Sequence, residues 1–406
     1  MSLLVNNINP SNNLNCFDKA QTILNSRHYK TIKYVQENEV LNRGILDLGS
    51  GFLPVVLVEL FGRNWQSAVE TTFGNALRVI TNYLSPIALA PVWNKIAASK
   101  HELPQNIQGL SSISFEYLTP DITPEKLKER LLETKENTDI VKNMSQEDIL
   151  DLKKRLIETK CLSRKLDLMS GSLLTYIAPW VRNWFSKSIL GVVGFTGELN
   201  VLSDSEREQS SSFYEKFKYL LFGGGLIPIF LGSTWDTNKL KNSLTNKDEN
   251  SVQGKIAKQS FDYLNGFVTS KANLLRHNLY GGVISRIFSS RSINELFEKG
   301  IRMSISLIGN FWADSIAHKT LAKRYDRKYE TEIIGPENND VKTLSRLEKE
   351  LKDAITTKDE SLIEKLTHSV SGQIRTYYQS MSITALATGL ATAFNIWNTK
   401  RRASSQ

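Results

Sequence analysis

The stretch Thr376-Tyr-Tyr-Gln-Ser-Met-Ser-Ile-Thr-Ala-Leu-Ala-Thr-Gly-Leu-Ala-Thr-Ala-Phe-Asn-Ile-Trp-Asn-Thr399 carries no charge and runs into Lys400-Arg401-Arg402. Wound as an α-helix, it divides into three faces. Ile383, Leu386, Leu390, Phe394 and Trp397 share one. Ala385, Gly389 and Ala393 form a second, at a spacing that allows the close backbone approach of small-xxx-small membrane contacts. Thr384, Thr388, Thr392 and Asn395 form a third, which would point into a bundle. About 20 apolar residues cross the hydrocarbon core of a bilayer. The five strongly apolar side chains favour insertion by only a few kcal/mol, and the Thr, Ser and Asn residues offset part of that. The terminal Lys-Arg-Arg tips the reading to a membrane helix with its C-terminus on the cytoplasmic side.

Outward from this segment, the chain alternates between apolar and polar textures. Leu48 to Val58, Val79 to Asn94 and Tyr219 to Trp235 are uncharged, and Leu168 to Gly197 is interrupted by Arg182 and Lys187. A weaker apolar stretch runs from Tyr280 to Ala317. Half of the 10 prolines, namely Pro54, Pro86, Pro91, Pro179 and Pro228, fall inside the uncharged or nearly uncharged stretches. A mid-helix proline costs about 3 kcal/mol in water and is better tolerated within a membrane. Short helices or hairpins broken at Pro and Gly are expected, with Arg182 and Lys187 marking a turn between two of them. Trp93, Trp180, Trp184, Trp235, Tyr377, Tyr378 and Trp397 lie in or beside these stretches. With Lys400, Arg401 and Arg402 they are the candidate membrane-interface residues.

The polar segments read as helical. Thr123-Pro124-Glu125 is a helix start, and Ser145-Gln-Glu-Asp148 resembles a capping box. They predict a hairpin over 121–160. Leu344, Leu347, Leu351 and Ile355, then Ile363, Leu366, Val370, Ile374 and Tyr377, predict a second hairpin over 341–378 that turns near Thr357–Glu360. Its second stripe runs in phase toward Met381, so one helix from Ser361 to Trp397 is expected. Asn6 to Asn15, Ser210 to Ser212, Asn242 to Ser251 and Gly335 to Asp340 read as loops. Period-2 alternation is short everywhere, and Ile45 to Val58 is the nearest approach to a strand.

The chain has 406 residues and a net charge of +9, from 51 Lys+Arg against 42 Asp+Glu. These charges sit in mixed-sign runs such as Glu125-Lys-Leu-Lys-Glu-Arg130, so no nucleic-acid partner is expected. With 2 cysteines, Cys16 and Cys161, a disulfide framework is excluded. The 5 histidines are scattered, without helical metal-ligand spacing. Asp47, Glu59, Glu70 and Asp314 lie in or beside apolar segments and read as helix-end or surface carboxylates.

Ile45-Leu-Asp47-Leu-Gly49-Ser-Gly51-Phe-Leu53 resembles the first motif of Rossmann-like methyltransferases. The resemblance implies that Gly49 and Gly51 would line S-adenosylmethionine and Asp47 would orient it. Leu53 stands at the third glycine position, Pro54 follows, and the alternating strands such a fold needs are missing. The match is read as coincidental. Phe222-Gly-Gly-Gly-Leu226 lacks a following Gly-Lys-Ser/Thr, so it reads as a hinge or a close helix contact rather than a phosphate cradle.

The expectation is therefore an all-α, membrane-associated protein with no catalytic, cofactor or metal site. Eight segments are expected. They are a polar helical segment 1–43, an apolar region 44–100, a polar hairpin 101–165, an apolar region 166–235, a polar linker or helix 236–275, an amphipathic region 276–325, a polar hairpin 326–375 and an apolar helix with basic tail 376–406. The partners would be the lipid bilayer and another protein chain, its own or a different one, packed through the helical segments. The function expected is scaffolding or membrane organisation. A soluble helical interaction protein and a transporter or pore are the alternatives.

Overall fold

The computed structural model describes residues 15–38, 42, 44–103, 115–132, 141–245, 277–331, 333–334 and 341–403. Among them every regular element is helical, and the nearest thing to a sheet is one isolated bridge between Ile334 and Val341. The chain divides into two compact units, the first made of 1–71 with 297–406 and the second of 72–296. The Gly335–Asp340 loop and the Asn6–Asn15 stretch, apart from Asn15, lie outside the described residues.

The first unit contains α1 (Cys16–Asn25), α2 (Arg27–Glu37), α3 (Leu53–Gly62), α11 (Lys323–Tyr329), α12 (Leu344–Thr357) and α13 (Glu360–Ala403). Helix α4 (Trp65–Val79) starts in it, and α10 (Ile293–Ala317) ends in it. The side chain of Thr343 caps α12, and Lys358, at φ +56°, reverses the chain into α13. This is the hairpin read from the two leucine stripes. Leu344, Leu347, Leu351, Ile363, Leu366, Val370 and Ile374 then form one core with Ala20, Ile23, Tyr29 and Ile32 of α1 and α2.

Glu348 fastens α2 to α12. It accepts from the Tyr29 hydroxyl at 2.5 Å and from Lys33 at 2.5 Å, with Lys352 at 2.7 Å. Partial burial raises its pKa, but these donors outweigh that and hold it at about 2. The folded pKa lies below the unfolded one, so this stability is present above about pH 4.5 and lost as pH falls toward 2. Discounting for the exposed lysines, Glu348→Gln costs about 2 kcal/mol near neutral pH. Acid titration followed by circular dichroism should show the wild-type advantage shrinking through that window. An equal difference at pH 7 and pH 2 would contradict it.

The second unit contains α5 (Ser85–Lys100), α6 (Pro124–Leu132), α7 (Gln146–Ser188), α8 (Asp204–Thr245) and α9 (Ile284–Phe288). The capping box at Ser145 is present, with Asp148 Oδ2 accepting from the Ser145 amide at 2.9 Å. Leu127, Leu131, Ile149, Leu152, Leu156 and Cys161 form a core with Leu240 and Leu244. Lys153 ties the 119–122 turn to α7 through the carbonyls of Thr119 at 2.6 Å and Ile122 at 2.9 Å.

The expectation of short, broken apolar helices holds at Pro54 and Pro86, which open α3 and α5, and fails at the other three prolines. Pro91, Pro179 and Pro228 lie inside continuous helices of 16, 43 and 42 residues. Arg182 and Lys187 sit within α7 rather than in a turn. Helix α7 packs on both α5 and α8, and such contacts outweigh the local cost of a proline. Ser210, Ser211 and Ser212 are helical as well. Their hydroxyls donate back to the carbonyls of Arg207, Glu208 and Gln209, which satisfies them inside the helix. Asn242 to Thr245 continue α8, and the remainder of that expected loop lies outside the described residues. Ile45–Phe52, read as strand-like, is a π-wound helical segment leading into α3.

Candidate functional site

Four charges meet inside the first unit, three with buried side chains and the fourth, Arg302, partly exposed. Glu59 and Arg63 come from α3 and its C-cap, and Glu298 and Arg302 from the start of α10. Each pair has helical i, i+4 spacing, which points both charges to one side. Arg63 reaches Glu59 at 3.3 Å and also binds Glu298, while Arg302 binds Glu59 and lies 3.6 Å from Glu298. Ser67 donates to Glu59 at 2.8 Å and Thr399 to Glu298 at 2.6 Å. The Asn395 amide donates to the Glu298 carbonyl at 3.2 Å. The quartet is neutral overall, and each carboxylate meets both arginines. Glu59 lies at a helix end, as expected, but is fully buried rather than at the surface, and Glu70 is buried too. The side chains of Asp47 and Asp314 lie outside the described residues.

The three faces of the C-terminal helix are arranged around this quartet. Thr384, Thr388, Thr392, Asn395 and Thr399 are buried, with Asn395 at 0% exposure. Thr384, Thr388 and Thr392 donate to carbonyls one turn back, so they enter the interior without unmet donors. Leu386, Leu390, Phe394 and Trp397 are exposed, Leu390 at 67%. Of the small face, Gly389 faces Pro54 of α3, Ala385 is half-buried, and Ala393 is exposed. Lys400 donates to the Gly62 carbonyl at 3.1 Å, Arg401 lies 5.5 Å over the Trp397 ring, and Arg402 lies 4.7 Å over Phe297. Tyr377 and Tyr378 turn inward, their hydroxyls 2.9 Å from Asn42 and from His28 respectively.

In the second unit, Arg182 pairs with Glu295 at 2.6 Å, and Arg291 meets the same carboxylate through two nitrogens at 3.0 Å each. Glu198 is fully buried and accepts from Ser292 and Asn294 at 2.9 Å each. Burial raises its pKa, which those donors and Arg291 partly oppose. Trp93 donates to Ser170 at 3.0 Å. Trp180 stacks on Tyr214. Trp184 and Trp235 are exposed, with Lys239 3.6 Å over the Trp235 ring. Gly225 abuts Tyr176, whose hydroxyl donates to the carbonyls of Leu221 and Phe222, so the last of the three glycines serves a close helix contact.

Sequence reading missed the quartet, although the two i, i+4 Glu–Arg pairs in or beside apolar runs were its visible trace. No three His, Cys, Asp or Glu side chains among the described residues group as metal ligands. In comparisons with known proteins, the chain matches no protein-family model, no curated protein and no solved structure.

Proposed function

We propose that the chain is a non-enzymatic integral membrane protein that scaffolds or organises the bilayer it occupies. The observation that carries this reading is an inverted distribution of polarity. In the first unit Leu53, Leu57, Leu60 and Phe61 of α3 are exposed while Glu59 is buried. In the second, Ile80, Leu84, Ile87, Val92 and Ile96 are exposed while Thr81 and Asn82 are buried. Along α8, Leu220, Ile227, Leu231 and Trp235 are exposed while Ser233 and Thr237 are buried. Water favours the opposite arrangement, and apolar surface on this scale marks contact with lipid or with another chain.

Helix α8 is the one described helix long and apolar enough to cross a membrane by composition, and only 17% of its apolar window is buried. The C-terminal helix falls short by that measure because its inward face is Thr and Asn. It is supported instead by geometry. Thr320 meets Gln379, while Glu298 meets Thr399, so α10 and α13 run antiparallel. From Gln379 to Thr399 the helix rises about 30 Å, the thickness of a hydrocarbon core. Cations stand at both ends, Lys319, Lys323 and Arg324 at one and Lys400 to Arg402 at the other. The charge bias therefore no longer singles out the C-terminal end as the cytoplasmic one.

A second reading, a transporter or pore, draws on the largely buried quartet at the end of the Thr/Asn face, since intramembrane ionisable groups often mark ion or solute paths. The deciding experiment is alkaline carbonate extraction of membranes holding the full chain or a version ending at Arg375. Full-length protein should stay in the pellet. Retention of both versions would place α8 in the bilayer as well, and release of both would end the membrane reading.

A further inference from the structure

We propose that Lys319, Lys323, Arg324 and Arg327, on the turns that follow α10, form a docking surface for anionic phospholipid headgroups at the Gln379 end of the apolar band. This proposal rests on the membrane reading above and adds the lipid class and the place where it binds.

The surface lies within the first unit. Past Ala317 the chain stays helical through the π-wound segment His318–Ala322 and into α11. Between His318 and Tyr329 the sequence sets Lys319, Lys323, Arg324, Arg327 and Lys328 against a single carboxylate, Asp326. Lys319, Lys323 and Arg327 recur at every fourth position and so share a side, with Arg324 next to them. All four are exposed. Among the described residues, none of the four side chains makes an ion pair or a hydrogen bond.

The neighbouring carboxylates are committed elsewhere. Asp326 accepts from the Thr331 hydroxyl at 2.6 Å and from the amides of Ile333 and Ile334 at 2.8 Å and 3.0 Å. Glu330 faces Lys365 at 3.9 Å. Lys328, 4.9 Å over the Tyr329 ring, acts on His368 together with Glu364, and so belongs to that group rather than to the row. Like charges one helical turn apart repel, so the row weakens its own helix until an anionic surface covers it.

Position names that surface. Gln379 donates to the Thr320 hydroxyl at 3.3 Å, so the row stands level with the start of the uncharged part of α13. Ile316, 41% exposed, is one turn earlier on α10, and Leu386, 64% exposed, is two turns later on α13. Because the two helices are antiparallel, both lie on the same side of that level. The molecular surface thus passes from apolar side chains to cations within one turn, the order of chemistry from acyl chains to headgroups. A neutral zwitterionic headgroup gains little from such a row, whereas an anionic one gains a factor of about five per cation it engages.

The full chain carrying Ile316→Trp is reconstituted into vesicles of phosphatidylcholine with a minority of phosphatidylglycerol, one lipid or the other brominated on its acyl chains. Subtracting the emission of the wild type isolates the new indole. Mole for mole, brominated phosphatidylglycerol should quench it about fivefold more strongly than brominated phosphatidylcholine, and the preference should shrink with added salt. On the same background, Lys319→Gln, Lys323→Gln, Arg324→Gln and Arg327→Gln together should abolish the preference without lowering thermal stability, since their mutual repulsion is removed as well. The charge-conserving set Lys319→Arg, Lys323→Arg, Arg324→Lys and Arg327→Lys should retain the preference. Equal quenching by the two lipids with the four cations in place, or a preference that survives the glutamine set, overturns the proposal and leaves the membrane reading intact. Failure of the protein to float with either vesicle overturns both.

Discussion

Glu298→Ala should lower stability by about 3–5 kcal/mol, a fall of about 4–6 °C in the unfolding midpoint of the purified protein. Alanine takes Glu298 from Arg63, which keeps Glu59, and leaves Arg302 with one of these two carboxylates. It also removes the acceptor of the Thr399 hydroxyl. Glu59, Arg63 and Glu298 are buried and Arg302 is only partly exposed, so water replaces little of what is lost at Arg63, and uncompensated buried charge is the dominant cost. Replacing all four charges by Leu or Met of similar volume should recover most of the loss, because an apolar core needs no pairing. That contrast is the decisive measurement. If the single and fourfold variants were equally unstable, the charges would be contributing shape rather than pairing. If Glu298→Ala cost under about 1 kcal/mol, the quartet would be a solvated surface pair.

Gly281→Val should be nearly as damaging, through a different mechanism. Gly281 lies in the π-wound segment Asn278–Val283, pressed against the backbone of Ser172 in α7. A Cβ built there overlaps the Ser172 carbonyl oxygen and sits 2.9 Å from its carbon. Backbone cannot swing aside as a side chain can, so the segment must move away from α7, at a cost of about 3 kcal/mol. Gly223 and Gly224, inside α8, are the matched control, because a Cβ at either meets nothing within 4 Å. Alanine at either position should stabilise the helix by about 0.5–1 kcal/mol. Thermal unfolding of the three variants side by side tests the pair of expectations. Equal midpoints for the Gly281 and Gly223 variants would show that the 278–283 segment does not rest on α7.

Much of the helical layout was legible in the sequence because its signals are local. The Thr123-Pro124 and Ser145–Asp148 starts lie at helix N-termini, and the turn near Thr357–Glu360 falls between α12 and α13. A capping box needs four consecutive residues, and a leucine stripe needs a few turns. Helix breaks were misread where local cost and tertiary gain oppose each other. Pro179 disfavours a helix by itself, yet α7 is held along its length by α5 and α8.

By itself, the sequence determined that this protein is helical and which sides of the C-terminal helix differ in chemistry. Those properties follow from composition and periodicity within one segment. Only the tertiary structure decided which side is inward. It buried the Thr/Asn face, left the Leu/Phe/Trp face outside, and brought Arg63 to Glu298 across 235 positions of sequence. An i, i+4 pair shows that two charges share a side, but not what that side meets. Two such pairs become one neutral, largely buried quartet only when α3 and α10 are packed together, and no periodicity within either helix encodes that meeting.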